Sequence, residues 1–250
     1  KNCFILKMHN LKKYSLLLIL ILIFSCSSYT EDNRIIYISE KDGNPEIYSM
    51  DKGGNNLKRL TNSSKSEQNP KLSPDGKYLG FITIKNSIKE LYLIEMEENG
   101  KQLQISEKGL SVEDFFWSPD SQKLTYKAKD NEQIHDIYLY NITKETTNKV
   151  TNNKLIEKLG NWSPDGEWIV YSVIRGDENK VGIFKKNPDG VDEVRLTENF
   201  EDHDPLWSPD GGKIAFLSSR GSEDIDIYIL DIENNEERNV TASQGNDYDF

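Results

Sequence analysis

The sequence is poor in the residues that build reactive sites. It has two cysteines and three histidines in 250 residues, and no cysteine follows Cys26. Disulfides and thiolate metal sites are therefore excluded beyond that point. No nucleophile elbow is present, because Gly109-Leu110-Ser111-Val112-Glu113 departs from Gly-x-Ser-x-Gly at its last position. Phosphate-binding glycine loops and His-Glu-x-x-His are missing as well. These absences predict a chain that is not an enzyme and holds no cofactor and no metal.

Long apolar runs are also scarce. Tyr14–Phe24 is an apolar run of about 11 residues, whereas a membrane-spanning helix needs about 20. The basic segment Met8–Lys13 precedes this run, and Ser25-Cys26-Ser27-Ser28 follows it. Charged, apolar and small-residue parts in this order are typical of a secretory signal. We therefore expect residues 1–25 to be a signal peptide whose true start is Met8.

Positive charge is in deficit. Lysine and arginine number 31 against 42 aspartates and glutamates, and the formal net charge is −11. Such a surface argues against nucleic acid or anionic lipid as the main partner. It is compatible with simple solubility, or with a protein partner that carries basic patches.

The chain is rich in one repeated turn. A Ser-Pro-Asp turn recurs every 45 residues, starting at Ser73, Ser118, Ser163 and Ser208. Proline suits the second position of a type I turn, aspartate tolerates the third and glycine takes the fourth. Because Ser121 replaces glycine in the second copy, the fourth position is not expected to require a positive φ. A fixed period of this size indicates a repeat architecture.

Each period contains about four short strands. Alternating segments such as Trp168-Ile169-Val170-Tyr171 follow the turns, and a third short strand ends in an aliphatic residue plus threonine or serine. Four strands in roughly 40–45 residues is the size of one blade, so the predicted fold is an all-β β-propeller. A β-sandwich is the alternative. We expect the aromatic residues to fill the core, with sugar stacking by Trp117, Trp162 or Trp207 as the alternative role.

Five blades' worth of sequence is visible, over residues 35–250. The N-terminal part supplies three strands without the first, at Arg34–Ile38, Glu46–Met50 and Leu57–Thr61. Asp247–Phe250 aligns with the strand that precedes a turn. Pairing of Asp247–Phe250 with Arg34–Ile38 would close a five-blade ring, and the other interpretation is a larger propeller truncated at the C-terminus. We expect the truncated form.

Two resemblances extend these predictions. Ile23-Phe24-Ser25-Cys26 resembles a bacterial lipobox, which implies lipidation of Cys26 and a tether over residues 26–34. Asp42-Gly43-Asn44-Pro45-Glu46-Ile47-Tyr48, and Trp207-Ser208-Pro209-Asp210-Gly211 through Phe216, resemble the WD40-like (PD40) repeat of the TolB-like propeller family. This second resemblance covers roughly Arg34 to Phe250. It implies a protein-interaction scaffold on the periplasmic side of the bacterial cell envelope, with an envelope protein or peptide as partner. The lipid anchor is implied by the lipobox alone and is a departure from TolB, which is a soluble periplasmic protein.

Polar residues just before each turn are the candidate binding residues. In propellers this stretch leads into the innermost strand, near the channel mouth, where an acidic ring could bind a basic peptide or, as the alternative, a divalent cation. The members are Glu113, Asp114, Asn161, Asp202, His203, Asp204 and Asp247. His135 is expected at the surface. Two other functions stay open: the propeller of a prolyl-oligopeptidase-type peptidase whose catalytic domain is missing, and a carbohydrate- or peptide-binding module.

Overall fold

The protein is built from β-strands alone over the residues that the computed structural model describes, which are 5–7, 34–97, 100–152, 155–175, 181–189, 191–221, 224–241, 245 and 247. Twenty strands form five four-stranded sheets. This confirms the predicted all-β fold of four-stranded blades. Within the described ranges there is no helix with the length and apolar character to cross a membrane.

Sheets 1 and 2 belong to a first compact unit, residues 1–112. Sheet 1 contains β1 (Ile5–Lys7), β2 (Arg34–Ser39), β3 (Glu46–Asp51) and β4 (Lys58–Arg59). Sheet 2 contains β5 (Ser66–Leu72), β6 (Tyr78–Lys85), β7 (Ile88–Glu95) and β8 (Gln102–Gln104).

Sheets 3 to 5 belong to a second compact unit, residues 113–250, although β9 begins two residues earlier. Sheet 3 contains β9 (Ser111–Trp117), β10 (Lys123–Lys129), β11 (His135–Asn141) and β12 (Thr146–Lys149). Sheet 4 contains β13 (Ile156–Trp162), β14 (Ile169–Arg175), β15 (Gly182–Lys186) and β16 (Glu193–Arg195). Sheet 5 contains β17 (His203–Trp207), β18 (Lys213–Ser218), β19 (Asp226–Asp231) and β20 (Glu236–Asn239).

Neighbouring strands are antiparallel except at the edge of sheet 1. There β1 pairs with β2 in parallel, with Ile5 opposite Ile36 and Lys7 opposite Ile38. The three remaining strands of sheet 1 match the predicted segments to within two residues. The proposed ring-closing partner of β2, Asp247–Phe250, lies outside the described residues except for Asp247.

The core of each unit lies between facing sheets. In the first unit Ile36 and Ile47 of sheet 1 pack with Leu79 and Phe81 of sheet 2. In the second unit one cluster joins sheets 3 and 4, and another joins sheets 4 and 5. Trp162 belongs to the former cluster and Trp207 to the latter, and both are buried. Sugar stacking by these two tryptophans is therefore not favoured.

The repeated turns have one conformation, and they correct a prediction. The fourth position has a positive φ in all four copies: 72° at Gly76, 62° at Ser121, 76° at Gly166 and 74° at Gly211. Ser121 therefore adopts the left-handed conformation that glycine adopts elsewhere. In each copy the serine hydroxyl bonds to the turn aspartate and accepts the N–H five residues on, as Ser163 does from Trp168 at 3.0 Å.

Candidate interaction site at the first strands of the sheets

The first strand of each sheet presents a polar side chain at one equivalent position. In sheets 2 to 5 this position lies five residues before the turn serine and is held by Gln68, Glu113, Lys158 and His203. A bulge follows in three of these strands, between Gln68 and Lys71, Leu159 and Trp162, and His203 and Leu206. Bulges redirect side chains, and the one in β17 places Asp204 at a φ of 52°.

One cluster joins sheets 4 and 5. Lys158 Nζ lies 2.6 Å from Asp204 Oδ2, and His203 Nδ1 lies 2.8 Å from the same oxygen. Burial opposes ionisation of Asp204, but the bonds from His203 and Lys158 outweigh it and lower the pKa of this carboxyl. The side chains stay 34% exposed at Lys158, 22% at His203 and 44% at Asp204. We call Lys158, His203 and Asp204 the first-strand cluster.

A second cluster lies within sheet 3. Glu113 Oε2 bonds Lys127 Nζ at 2.6 Å, and Glu113 Oε1 lies 3.1 Å from His135 Nε2. Burial raises the pKa of Glu113, while Lys127 and His135 lower it by more, so the pKa is below its ordinary value. His135 is therefore not the open surface residue that its sequence position indicated. Its Nδ1 is buried without a hydrogen-bond partner in the described part of the chain.

The remaining predicted residues have other surroundings. Asp202 is fully buried, and Arg220 Nη1 lies 3.6 Å from its Oδ2. Burial raises the pKa of Asp202, although Thr197, Ser218 and Arg220 each act to lower it. Asn161 bonds both backbone groups of Trp207, at 2.7 Å and 3.3 Å, and so joins β13 to β17. Asp114 Oδ1 accepts the N–H of Phe115 at 2.8 Å. The N–H of Asp247 donates to the carbonyl of Ile225 at 2.8 Å. Cys26 lies outside the described residues.

The two clusters change the expected electrostatics of this edge. The sequence indicated an acidic ring, yet Glu113 and Asp204 each hold a lysine. Lys158 and Lys127 were not among the predicted site residues. Lys158 could have been found, since it lies 45 residues from both Glu113 and His203. No group of three or more metal-ligating side chains suited to an ion occurs in the described ranges.

One hydroxyl–backbone hydrogen bond recurs in all five described sheets. A threonine or serine hydroxyl after the last strand of each sheet accepts a backbone N–H from the third strand, at distances of 2.8 to 3.0 Å. The pairs are Thr61 with Ile47, Ser106 with Leu91, Thr151 with Ile137, Thr197 with Ile183, and Thr241 with Ile227. In the second unit Thr151 also donates to Glu157 of the following sheet at 2.6 Å. Through this bond Thr151 ties the outer part of sheet 3 to the first strand of sheet 4.

Comparison with known proteins gives the family. The model of the TolB beta propeller domain matches residues 70–202, just over half of the chain. The chain belongs to the TolB β-propeller family. It is 31% identical over 139 residues to a protein TolB homolog from Chlorobium chlorochromatii, which is 56% of this chain and 31% of that protein. Identity to the Tol-Pal system protein TolB of Francisella tularensis is 27% over 225 residues, or 88% of this chain and 51% of that protein. The chain thus spans 31% to 51% of the length of these two relatives.

Solved structures agree on the fold. The putative TolB from Agrobacterium tumefaciens has a TM-score of 0.60 at 28% identity, over 77% of this chain and 68% of that one. A prolyl endopeptidase has a TM-score of 0.69 at 16% identity, over 86% of this chain and 36% of that one. An oligogalacturonate lyase in complex with manganese has a TM-score of 0.66 at 16% identity, over 84% of this chain and 62% of that one. At such identities the two enzymes share the propeller with this chain, and their chemistry does not transfer.

Proposed function

We propose that this chain is a non-enzymatic TolB-like propeller that holds protein partners in the bacterial cell envelope. The first-strand cluster carries the proposal: a lysine, a histidine and an aspartate from two sheets are fixed by short contacts and remain partly exposed. Prepaired groups of this kind suit recognition of a folded protein or peptide, because little side-chain entropy remains to be lost on binding. Membership of the TolB family supports it, and one relative is named for the Tol-Pal system.

Catalysis by these clusters is less well supported. Both histidines contact a carboxylate, as a general base would. In the described ranges neither ring is bonded to a serine, threonine or cysteine that it could activate. We therefore propose binding as the function of this edge. Hydrolysis of prolyl peptides by the purified chain, abolished by His203→Ala, would contradict this.

The partner test uses two matched double variants. Envelope extracts are cross-linked to the tagged chain, and the captured proteins are quantified for Lys158→Ala/His203→Ala. We expect this double variant to lose at least tenfold of the captured partner, since each of its two substitutions removes a partly buried polar contact. Lys186→Ala/Lys213→Ala removes two lysines outside the first strands, whose Nζ atoms lie 2.8 Å from Glu193 and 3.1 Å from Asp231, and should leave capture unchanged. Equal capture by both double variants would refute the site.

The membrane part of the proposal rests on the leader. A fatty acid on Cys26, with residues 26–34 as tether, would hold the propeller at the membrane on the periplasmic side. Cells fed a radioactive fatty acid should label the wild-type chain and not Cys26→Ala. The variant should also be depleted from the membrane fraction, because it lacks the acyl chain that would anchor it. Equal labelling of both chains would exclude the anchor.

A further inference from the structure

Two buried carboxyl groups meet where sheet 1 joins sheet 2. Glu46 begins β3 and Glu67 is the second residue of β5, and their exposed fractions are 0% and 1%. Their carboxyl groups share Ser63, whose N–H donates to Glu46 Oε1 at 2.9 Å and whose hydroxyl donates to Glu67 Oε1 at 2.6 Å. Buried carboxylates are found with partners because the uncompensated charge is costly, so two of them held on one serine require a physical account.

The partners of each carboxyl are unequal. Glu46 Oε1 accepts bonds from Arg59 Nη2 at 2.8 Å, the Ser63 N–H at 2.9 Å and Asn44 Nδ2 at 3.3 Å. Glu67 Oε1 accepts one bond, from the Ser63 hydroxyl at 2.6 Å. The Oε2 atoms of both residues are buried and bonded to no donor within the described residues. Glu46 is therefore the better stabilised anion, whereas no cation bonds Glu67 among the residues that the structure describes.

The surrounding charges do not supply the missing compensation. Arg59 is shared, since its Nη1 lies 3.3 Å from Asp42, and Asp42 also bonds the Tyr48 hydroxyl. Lys65 follows on the same loop, but its Nζ is bonded to Glu90 at 2.7 Å. Thr83, opposite Glu67 across β5 and β6, is 1% exposed, and its Oγ1 is also buried without a hydrogen-bond partner in the described ranges.

One proton resolves this arrangement. An ionised carboxylate only accepts hydrogen bonds, whereas a protonated carboxyl also donates one. A proton on Glu67 turns the two acceptors into a donor–acceptor pair. We propose that Glu46 and Glu67 share a proton across the junction of sheets 1 and 2, and that losing this proton loosens the junction. The contact between these two sheets would then respond to pH.

The direction of the response follows from burial. Burial raises the pKa of Glu67 from 4.5 to about 7, helped by Glu46 and opposed by Ser63. Between these two values the closed junction binds more protons than an open one, so its stability falls as pH rises through this window. Burial acts to raise the pKa of Glu46, but nearby Thr61, Ser63 and Arg59 together outweigh burial and lower this pKa, so this carboxyl stays ionised.

A divalent cation fits the pair less well than a proton does. Calcium takes six to eight oxygen ligands, and magnesium requires near-octahedral geometry. Glu46 Oε1 already accepts three bonds and Glu67 Oε1 accepts one, so this pair offers far fewer free ligand atoms than either ion requires. Arg59 also lies against Glu46 and would repel it.

A local readout is available, because the N–H of Glu67 donates to the carbonyl of Pro45 at 3.1 Å and so bridges the two sheets. Amide exchange of Glu67 is followed at pH 5 and pH 8 in the whole chain, corrected for the intrinsic rate. We expect protection to fall by more than tenfold in wild type, since one pKa unit corresponds to a factor of ten. Glu67→Gln cannot ionise and keeps a donor towards Glu46, so its protection should change by less than about twofold.

The controls separate this effect from general charge. Glu40→Gln removes an exposed carboxylate near β2 and should retain the wild-type pH response. Infrared spectroscopy of the wild-type chain with labelled glutamate tests the proposal without a variant. The spectra should show the band of a protonated carboxyl group at pH 6, and this band should disappear by pH 8.5. Absence of that band, a pH response that survives in Glu67→Gln, or calcium-dependent protection reversed by EDTA would each overturn the proposal.

Discussion

At the scale of the residue, the hydroxyls at the ends of the sheets have the clearest energetic role. Thr151 is 5% exposed, accepts the N–H of Ile137 at 2.8 Å and donates to Glu157 at 2.6 Å. Thr151→Val keeps the shape but leaves a buried donor and a buried carboxylate unsatisfied. We expect a loss of about 2–3 kcal/mol in the free energy of unfolding, measured by urea titration.

The matched control is another threonine in the same unit. Thr143 donates to Gln122 at 3.0 Å in an exposed position, so Thr143→Val should change stability by no more than about 0.5 kcal/mol. If Thr151→Val were as mild as Thr143→Val, the hydroxyl would not tie sheet 3 to sheet 4.

The sequence located these threonines but not their role. An aliphatic residue followed by threonine or serine was recognised at the end of the third strand segment, as at Val150-Thr151. The partners Ile137 and Glu157 come from another strand and another sheet, and their pairing depends on register that no local pattern contains. His135 shows the same limit: its local context indicated a surface position, and the contact with Glu113 is made across 22 residues.

At the scale of the element, the repeated turn was predictable in position and type but not in its backbone strain. Serine at position 121 concealed the requirement for a positive φ, which all four copies share. A side chain in the left-handed region costs roughly 1–2 kcal/mol relative to glycine. The second copy accepts this cost at Ser121, which is fully buried.

Gly166→Ala tests this cost without a steric change. A Cβ at Gly166 would meet Pro119 Cδ at 3.7 Å, which is ordinary contact, so only the φ of 76° is at issue. We expect a loss of about 1–2 kcal/mol by urea unfolding. Gly212→Ala lies beside the fourth turn, and its Cβ would likewise make only ordinary contacts, nearest to Asp210 at 3.6 Å. It has no positive φ and should be neutral to within about 0.5 kcal/mol. Equal effects would show that strain is not what selects glycine.

At the scale of the whole molecule, the fold was predictable because it repeats. A single period of 45 residues gave the strands, the turns and the sheet size, and the family comparison agrees with it. The candidate site was predicted less well because it depends on differences between the copies. Glu113, Lys158 and His203 occupy the same position of three repeats, but one is acidic, one is basic and one is an imidazole. A search for acidic residues before each turn therefore does not select the lysine.

Carboxyl groups of two kinds set the pH range of stability of the whole chain. Glu46, Asp75, Glu113 and Asp204 have lowered pKa values, so the stability they contribute is present above their ordinary values and is lost as pH falls through the folded ones. Burial raises the pKa of Glu67 to about 7, so the stability that Glu67 contributes is lost as pH rises from 4.5 to about 7. Self-repulsion at a net charge of −11 acts in the same direction as Glu67.

The thermal midpoint should therefore be highest slightly above the ordinary pKa of carboxyl groups, near pH 5, and should fall on both sides. Thermal unfolding from pH 3 to pH 9 at constant ionic strength measures it. Glu67→Gln should flatten the alkaline side and leave the acid side unchanged, because the acid side depends on the ion-paired carboxyls. Raising the salt concentration should reduce the part of the alkaline decline that comes from net charge, while the buried contribution of Glu67 persists. A midpoint that rises steadily from pH 5 to pH 8 would contradict the raised pKa of Glu67.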